Sequence, residues 1–158
     1  MQSGLALERS HFEMGLAPIA DAFAGTVYSD VVNMKNHEAV RFVHFWGVGT
    51  SGTGTITVQA CDDVTPSNRS AIPFRYRVTV AGSAPGDWVL ATSSGFTTTA
   101  GSNQMIEIEV HAGALAASGY GYVQTKQVEV VASARLGGIL IEMLNAKFQG
   151  PTPITATT

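Results

Sequence analysis

The chain has 158 residues, of which 45% are hydrophobic and only 13% are charged, and its net charge at pH 7 is −3. This length suits one domain with a substantial core. The nine basic residues are too few and too scattered for a nucleic-acid-binding surface. The single cysteine, Cys61, excludes an intrachain disulfide, and no apolar run reaches the roughly 18 residues of a membrane span. We therefore expect a protein made in the cytosol that binds neither nucleic acid nor membrane.

The first 25 residues differ from the rest of the chain, because their apolar residues do not alternate with polar ones and Pro18 interrupts any long helix. We interpret residues 1–25 as an N-terminal arm with a short helix around residues 5–14. Residues 26–148 are predicted to form the folded domain. The Pro- and Thr-rich residues 149–158 are predicted to be an extended or flexible tail.

From residue 26 onwards, apolar and polar residues alternate in short runs, and this period of two predicts half-buried strands. Ile106, Ile108 and Val110 share one strand face, whereas residues 39–46 are apolar on both faces. No amphipathic helix of useful length separates the runs. The prediction is therefore an all-β, antiparallel β-sandwich or jelly-roll-like domain of eight or nine short strands. The predicted strands include residues 26–32, 39–46, 54–62, 73–80, 87–92, 104–111, 119–131 and 136–144.

The clearest alternation lies in residues 52–80, which predict two strands joined by a polar turn, residues 62–71. Asp62, Asp63 and Asn68 in that turn could supply oxygen ligands to a hard cation. Their spacing matches no calcium loop, however, and Asp, Asn, Ser and Pro are common turn-forming residues. We therefore expect an exposed hairpin end and no metal site.

No arrangement of residues typical of catalysis occurs in the sequence. Serines are abundant without a G-x-S-x-G motif, and the four histidines lack metal-ligand spacing. His44 is expected to be packed or hydrogen-bonded in its strand. Glu107 and Glu109 share a strand face, as a glycosidase requires, but a solvated edge or a salt-bridging contact face is the simpler interpretation. We predict that the protein is not an enzyme and needs no cofactor.

Two pairs of alternating aromatic residues, Phe74 with Tyr76 and Tyr120 with Tyr122, leave another interpretation open. Rings spaced in this way either form a sugar-stacking platform or pack in a core or an interface. Packing is the more common arrangement, and a carbohydrate-binding β-sandwich stays the alternative.

The order of motifs in residues 26–60, TVYSDVVNMKNHEAVRFVHFWGVGTSGTGTITVQA, resembles a group of small structural proteins of tailed bacteriophages. The similarity extends through CDDVTPSNRSAIPFRYRV, SGFTTTAGSNQMIEIEVHAGAL, SGYGYVQTK and LGGILIEML, and so covers most of residues 20–145. This family comprises capsid decoration, or cement, proteins. The resemblance implies a β-sandwich that forms homo-oligomers, is assembled in the host cytoplasm and binds the major capsid protein on the outer surface of the virion. Another virion component, such as a tail or head-completion protein, is the alternative.

A cement protein adds contact area between coat subunits, and many weak contacts repeated by symmetry give it high avidity. The candidate contacts are therefore apolar residues of the arm and polar residues of the turn. An alternative for the arm is that Phe12, Leu16, Ile19 and Phe23 cover the open end of the sandwich. The candidate capsid or subunit contacts are Leu5, Leu7, Phe12, Met14 and Leu16 in the arm, and Asp62, Asp63, Asn68 and Arg69 in the turn.

Overall fold

Two antiparallel β-sheets pack against each other in the computed structural model, which describes residues 10–49 and 51–147. A short 3-10 helix, Ala112–Ser118, follows the tenth strand. No helix among the described residues is long and apolar enough to cross a membrane. The strands are β1 (Ser10–Ile19), β2 (Thr26–Tyr28), β3 (Val32–Asn33), β4 (His37–Trp46), β5 (Thr53–Cys61), β6 (Arg69–Ile72), β7 (Phe74–Val80), β8 (Val89–Ala91), β9 (Phe96–Thr97), β10 (Gln104–His111), β11 (Tyr122–Val131) and β12 (Gly137–Ala146).

The first sheet has the strand order β1-β12-β4-β10-β7-β8, and the second has the order β2-β11-β5-β6, with β3 also paired to β11 and β9 to β5. The all-β antiparallel sandwich predicted from alternation is confirmed. The predicted number of strands is wrong, because the described residues contain twelve strands rather than eight or nine. Among the additional strands are β3, β6 and β9, whose two to four residues are too short to show a period of two.

The core lies between the two sheets and consists of the inward-facing residues of the long strands. Phe42 of β4, Ile56 of β5 and Ile108 of β10 are fully buried there. Each side chain of this kind stabilises the fold by about 1.5–3 kcal/mol when it leaves water. The predicted inward face of β10, with Ile106, Ile108 and Val110, is confirmed.

The predicted N-terminal arm is wrong over its described residues, because Ser10–Ile19 form β1 at the edge of the first sheet. The helix predicted around residues 5–14 is wrong over residues 10–14 for the same reason. Ala22 and Phe23, further along the predicted arm, are buried in the core. Leu5, Leu7 and the predicted tail lie outside the described residues.

The physical reason for this error is that β1 alternates only over residues 11–14, after which its register with β12 shifts between Met14 and Leu16 and again between Leu16 and Ile19. His11 and Glu13 lie opposite Met143 and Ile141 of β12, whose side chains point into the sandwich. Cross-strand partners share a face of the sheet, so the inward side of β1 is polar and its outward side is apolar. Inward-pointing charged residues are tolerated in an edge strand, and here Nε2 of His11 lies 3.1 Å from Oε1 of Glu13.

The block formed by residues 52–80 also folds differently from the prediction. β5 forms a hairpin with β6 in the second sheet, and Cys61 lies opposite Arg69. β7 belongs to the first sheet and pairs with β10 instead. Pro73 lies between β6 and β7, and because proline has no N–H to donate, it suits the point where the chain leaves one ladder for the other.

Candidate interaction surface

The outer face of the first sheet, the side that points away from the core, is apolar at its β1 end and charged towards β7. Cross-strand pairing arranges its side chains in rows. The row Phe12–Glu142–Arg41–Glu109–Arg75–Leu90 runs from β1 to β8, and the row Met14–Leu140–Val43–Glu107–Arg77 runs from β1 to β7. We define the apolar strip as Phe12, Met14, Val43, Phe45, Met105 and Leu140, and the ionic cluster as Arg41, Arg77, Glu107, Glu109 and Glu142.

Arg41 lies at the centre of the ionic cluster. Its Nη1 donates to Oε2 of Glu142 and its Nη2 to Oε2 of Glu109, each over 3.2 Å. Glu107 accepts hydrogen bonds from both Nε and Nη2 of Arg77, the latter over 2.9 Å, and these bonds raise the pKa of the Arg77 guanidinium. The cluster therefore ties β12, β4, β10 and β7 together on their outer side.

The geometry of the ionic cluster distinguishes a salt-bridging role of Glu107 and Glu109 from a position on a solvated edge. Their salt-bridging role is confirmed, since Glu107 binds Arg77 and Glu109 binds Arg41. A solvated edge is wrong, because β10 lies between β4 and β7 inside the sheet. The two carboxylates are already engaged by arginines, as in a structural ion-pair network.

A shallow polar depression lies beside the ionic cluster. The guanidinium carbon of Arg77 lies 4.9 Å from the ring centroid of Trp88, and Nε2 of His111 lies 3.0 Å from Oε1 of Glu109. Arg75 has no ion pair among the described residues, although its strand position faces Glu109. The lining residues are Arg41, Arg75, Arg77, Trp88, Glu109 and His111.

The arm residues predicted as contacts divide between the two sides of β1. Phe12 is 53% exposed and Met14 is 64% exposed, so both are available at the edge of the apolar strip. Leu16 faces inward instead, because a register shift between Met14 and Leu16 places it opposite the buried Ile139. Leu16 is partly buried and packs against the core, and its role as a surface contact stays a prediction. The roles of Phe12 and Met14 as contacts stay predictions.

The alternative for this segment, that apolar residues cover the open end of the sandwich, is right only in part. Leu16 packs against the core and Phe23 is buried in it. Phe12 and Ile19, by contrast, are more than half exposed.

The predicted turn is the exposed end of the β5–β6 hairpin, and Asp62 organises it. Its carboxylate accepts hydrogen bonds from the backbone N–H groups of Ser67 and Asn68, both over 3.1 Å, and from Nδ2 of Asn68 over 2.8 Å. The bonds from Asn68 are the main reason that the pKa of Asp62 is lowered. Asp63 accepts a bond from the N–H of Val64. The turn-forming role of these residues is confirmed.

The hairpin end lies apart from the arm residues, because it belongs to the second sheet. Arg69 at its end is exposed, and its guanidinium carbon lies 5.4 Å from the ring centroid of Tyr28. The structure therefore does not combine the two predicted sets of contacts into one surface. No group of three metal-ligating side chains occurs among the described residues.

The outer face of the second sheet is polar. Thr55 and Thr97 approach each other with their hydroxyl oxygens 2.9 Å apart, and Nε2 of Gln124 donates to Oε1 of Gln59 over 3.1 Å. Two apolar residues, Tyr28 and Val128, are also exposed on this face.

Three of the four aromatic residues predicted to pack do so, namely Phe74, Tyr76 and Tyr120. The ring of Tyr76 stacks on that of Phe96 with centroids 3.6 Å apart, and Phe74 is buried beside them. Tyr120 packs against the core and Tyr122 is half-buried. A sugar-stacking platform is wrong for Phe74 and Tyr76, because their partner is another ring of the same chain.

Sequence reasoning missed Arg41, Arg77 and Glu142 as members of one surface. They lie on three different strands, and nothing in the sequence shows that these strands become neighbours. The sequence contained one signal of an apolar outer surface, because residues 39–46 are apolar on both faces of the strand. The outward half of that pattern, Val43 and Phe45, lies in the apolar strip.

The chain matches no protein-family model, and no curated protein matches it significantly. Among solved structures, it is similar to the SPBc2 prophage-derived protein YomS, with 14% identity, a TM-score of 0.46, and coverage of 84% of this chain and 92% of that one. It is also similar to a chain from the structure of infectious bursal disease virus Gx strain, with 12% identity, a TM-score of 0.25, and coverage of 87% and 42%. At these TM-scores, neither similarity identifies a fold family or a function.

Proposed function

We propose that the protein is a bacteriophage capsid decoration protein that binds across contacts between major capsid protein subunits and stabilises the icosahedral shell. The family resemblance over most of residues 20–145 supports this role. The structural observation that carries the proposal is the apolar strip, which lies beside the ionic cluster on an open sheet face.

The chemistry of this face suits a protein contact. Interfaces bury an apolar centre and keep polar groups at the rim, and the first sheet presents both on one side. Because Phe12 and Met14 are exposed at the sheet edge, a neighbouring subunit reaches them without any rearrangement of the core. A large exposed apolar patch on a protein surface often marks a site where another protein binds.

A cementing role needs many such contacts rather than one strong site. Each copy adds a modest contact area, and symmetry repeats it over the shell. Oligomerisation then multiplies the affinity through effective concentration. The ion pairs around Arg41 keep the face rigid before binding, so little ordering entropy is lost there.

The experiment uses purified capsids of the source phage that lack this protein. Adding the full chain should give saturable binding at a copy number set by icosahedral symmetry, and should raise the temperature at which the capsids release their DNA. A copy number of six or twelve per particle would instead indicate a tail or portal-region component. Absence of binding would contradict a capsid role.

A pair of variants tests the surface. Met14→Asp places a charge in the apolar strip and should weaken capsid binding by about tenfold or more, since a buried unpaired charge costs several kcal/mol. Thr26→Asp places the same charge on the exposed outer side of the second sheet and should leave binding unchanged. Equal effects of the two variants would exclude the strip as the contact.

A further inference from the structure

Arg135 is enclosed at one end of the sandwich, in the segment between β11 and β12. Its side chain is 1% exposed. The guanidinium carbon lies 4.6 Å from the ring centroid of Trp46 and 5.4 Å from that of Phe23. Two glycines form another wall, since a Cβ at Gly49 would lie 2.5 Å from Cγ of Arg135 and one at Gly52 would lie 2.8 Å from Nε.

The guanidinium lacks the partners that a buried charge requires. Nε and Nη1 have no hydrogen-bond partner, and Arg135 takes part in none of the ion pairs among residues 10–49 and 51–147. The nearby carboxylates are Asp21 and Glu129, and they raise its pKa less than burial lowers it. Glu129 already accepts a hydrogen bond from the N–H of Gly25.

This arrangement is costly unless something else binds the guanidinium. An ion buried without hydrogen bonds loses several kcal/mol of solvation. Stacking on two aromatic rings returns only part of this loss. Nε and Nη1 are enclosed and unpartnered, and Nη2 is the guanidinium nitrogen that is not among these enclosed, unpartnered atoms.

Exposed apolar residues surround this end of the sandwich. Val48 is 75% exposed, Leu136 59% and Ile19 51%. The backbone holds them near Arg135, because the N–H of Gly47 donates to the carbonyl of Leu136 and Ile19 pairs with Gly137. An arginine inside an apolar rim that excludes water is the usual composition of a strong protein contact.

We propose that Arg135 anchors a second contact by binding a carboxylate of a partner protein. A carboxylate accepts a hydrogen bond from a guanidinium N–H and neutralises the positive charge. The apolar rim favours a carboxylate carried by a protein chain over a free hydrated anion, because the rest of that chain covers Val48 and Leu136. If the proposed function holds, the partner is the coat subunit, and this end of the sandwich is where it docks.

Carboxylate binding by Arg135 can be tested in the isolated full-length protein, without any capsid. Sodium acetate, compared with sodium chloride at equal ionic strength, should shift the NMR resonance of the Arg135 Nε–H group in a saturable manner. Asp21→Asn should preserve that shift. If acetate moves the resonance no more than chloride does, the guanidinium is satisfied by water or by its own chain, and the inference is wrong.

Capsid-binding measurements test whether the coat subunit is the partner that Arg135 binds. Arg135→Met keeps the aliphatic stem, and we expect it to leave the melting temperature unchanged or higher while weakening capsid binding by about tenfold or more. Lys126→Met removes one charge from the outer face of the second sheet and should bind as the wild type does. A loss of stability in Arg135→Met, with unchanged binding, would make Arg135 a structural residue and overturn the inference.

The two proposals fail separately. If wild-type protein binds capsids and Arg135→Met binds equally well, only the role of Arg135 is wrong. If no variant binds capsids, the proposed function is wrong, and the acetate titration still decides whether Arg135 binds carboxylates.

Discussion

His44 of the first sheet and Gln127 of the second are joined through the core, with Nδ1 of His44 donating to Oε1 of Gln127 over 3.0 Å. Nε2 of His44 accepts from Oγ1 of Thr125 over 2.9 Å, and the ring of Phe23 stacks on the imidazole. Both nitrogens of a neutral imidazole are thereby satisfied. The expectation that His44 is packed and hydrogen-bonded is confirmed.

This pairing makes the stability of the protein depend on pH. Burial lowers the pKa of His44 from 6.5 to about 4. Between these values the unfolded chain binds a proton that the folded chain excludes, so stability falls as the pH decreases through that window. The loss is on the order of 3 kcal/mol. Urea denaturation from about pH 7 to about pH 4.5 measures it.

Two histidine variants isolate the contribution of His44. His44→Gln should lose most of the pH dependence in that window, whatever its stability at neutral pH. His111→Gln changes an exposed histidine on the outer face and should keep the wild-type dependence. The same slope in wild type and His44→Gln would show that other groups cause it.

Gly95 is predicted to tolerate no side chain. Its φ is +76°, and an added Cβ would lie 2.0 Å from the backbone oxygen of Ile56. Backbone cannot yield as a side chain does, so Gly95→Ala should destabilise the fold by about 2 kcal/mol or more. Gly113→Ala, where a Cβ meets nothing within 4 Å, is the matched control and should cost little. Equal denaturation midpoints for the two variants would contradict the prediction.

Glu107 is expected to stabilise the first sheet through its two arginines. Glu107→Gln removes the charge that Arg77 binds and that Arg41 approaches to 3.8 Å. Because Glu107 is mostly buried, we expect a loss of about 1–3 kcal/mol in urea denaturation. Glu38→Gln removes a charge from an exposed position of β4 and should have little effect. If both variants lose the same stability, net charge rather than the ion pairs is responsible.

Asp62 is expected to hold the hairpin end in place. Asp62→Ala removes the acceptor for the N–H groups of Ser67 and Asn68, and these amides should exchange faster with solvent. Since the pKa of Asp62 is lowered, protection in the wild type should persist above that pKa and be lost as the pH falls through it. Asp63→Ala, which affects only the N–H of Val64, should leave both amides protected.

The sequence predicted strands best where one face is apolar and the other polar. β10 has the bounds of residues 104–111, as predicted. β1 escaped prediction, because its alternation covers only residues 11–14 and two register shifts then break the period. The hairpin end was also predicted, since Asp62 and Asn68 act within a few residues of each other. The strand predicted at residues 73–80 is found as β7, but it does not pair with β5, because the chain crosses to the first sheet after Pro73.

The all-β class, most strand positions and the inward residues of β10 follow from alternation, because the period of a strand is a local property of the chain. The ionic cluster, the apolar strip and the enclosure of Arg135 depend on which strands become neighbours. The pair Arg41 and Glu142 is 101 residues apart in the chain, and that of His44 and Gln127 is 83 residues apart. Such contacts form only when distant strands pair and the two sheets pack together. Which strands become neighbours is determined by the packing of the whole core rather than by local preference.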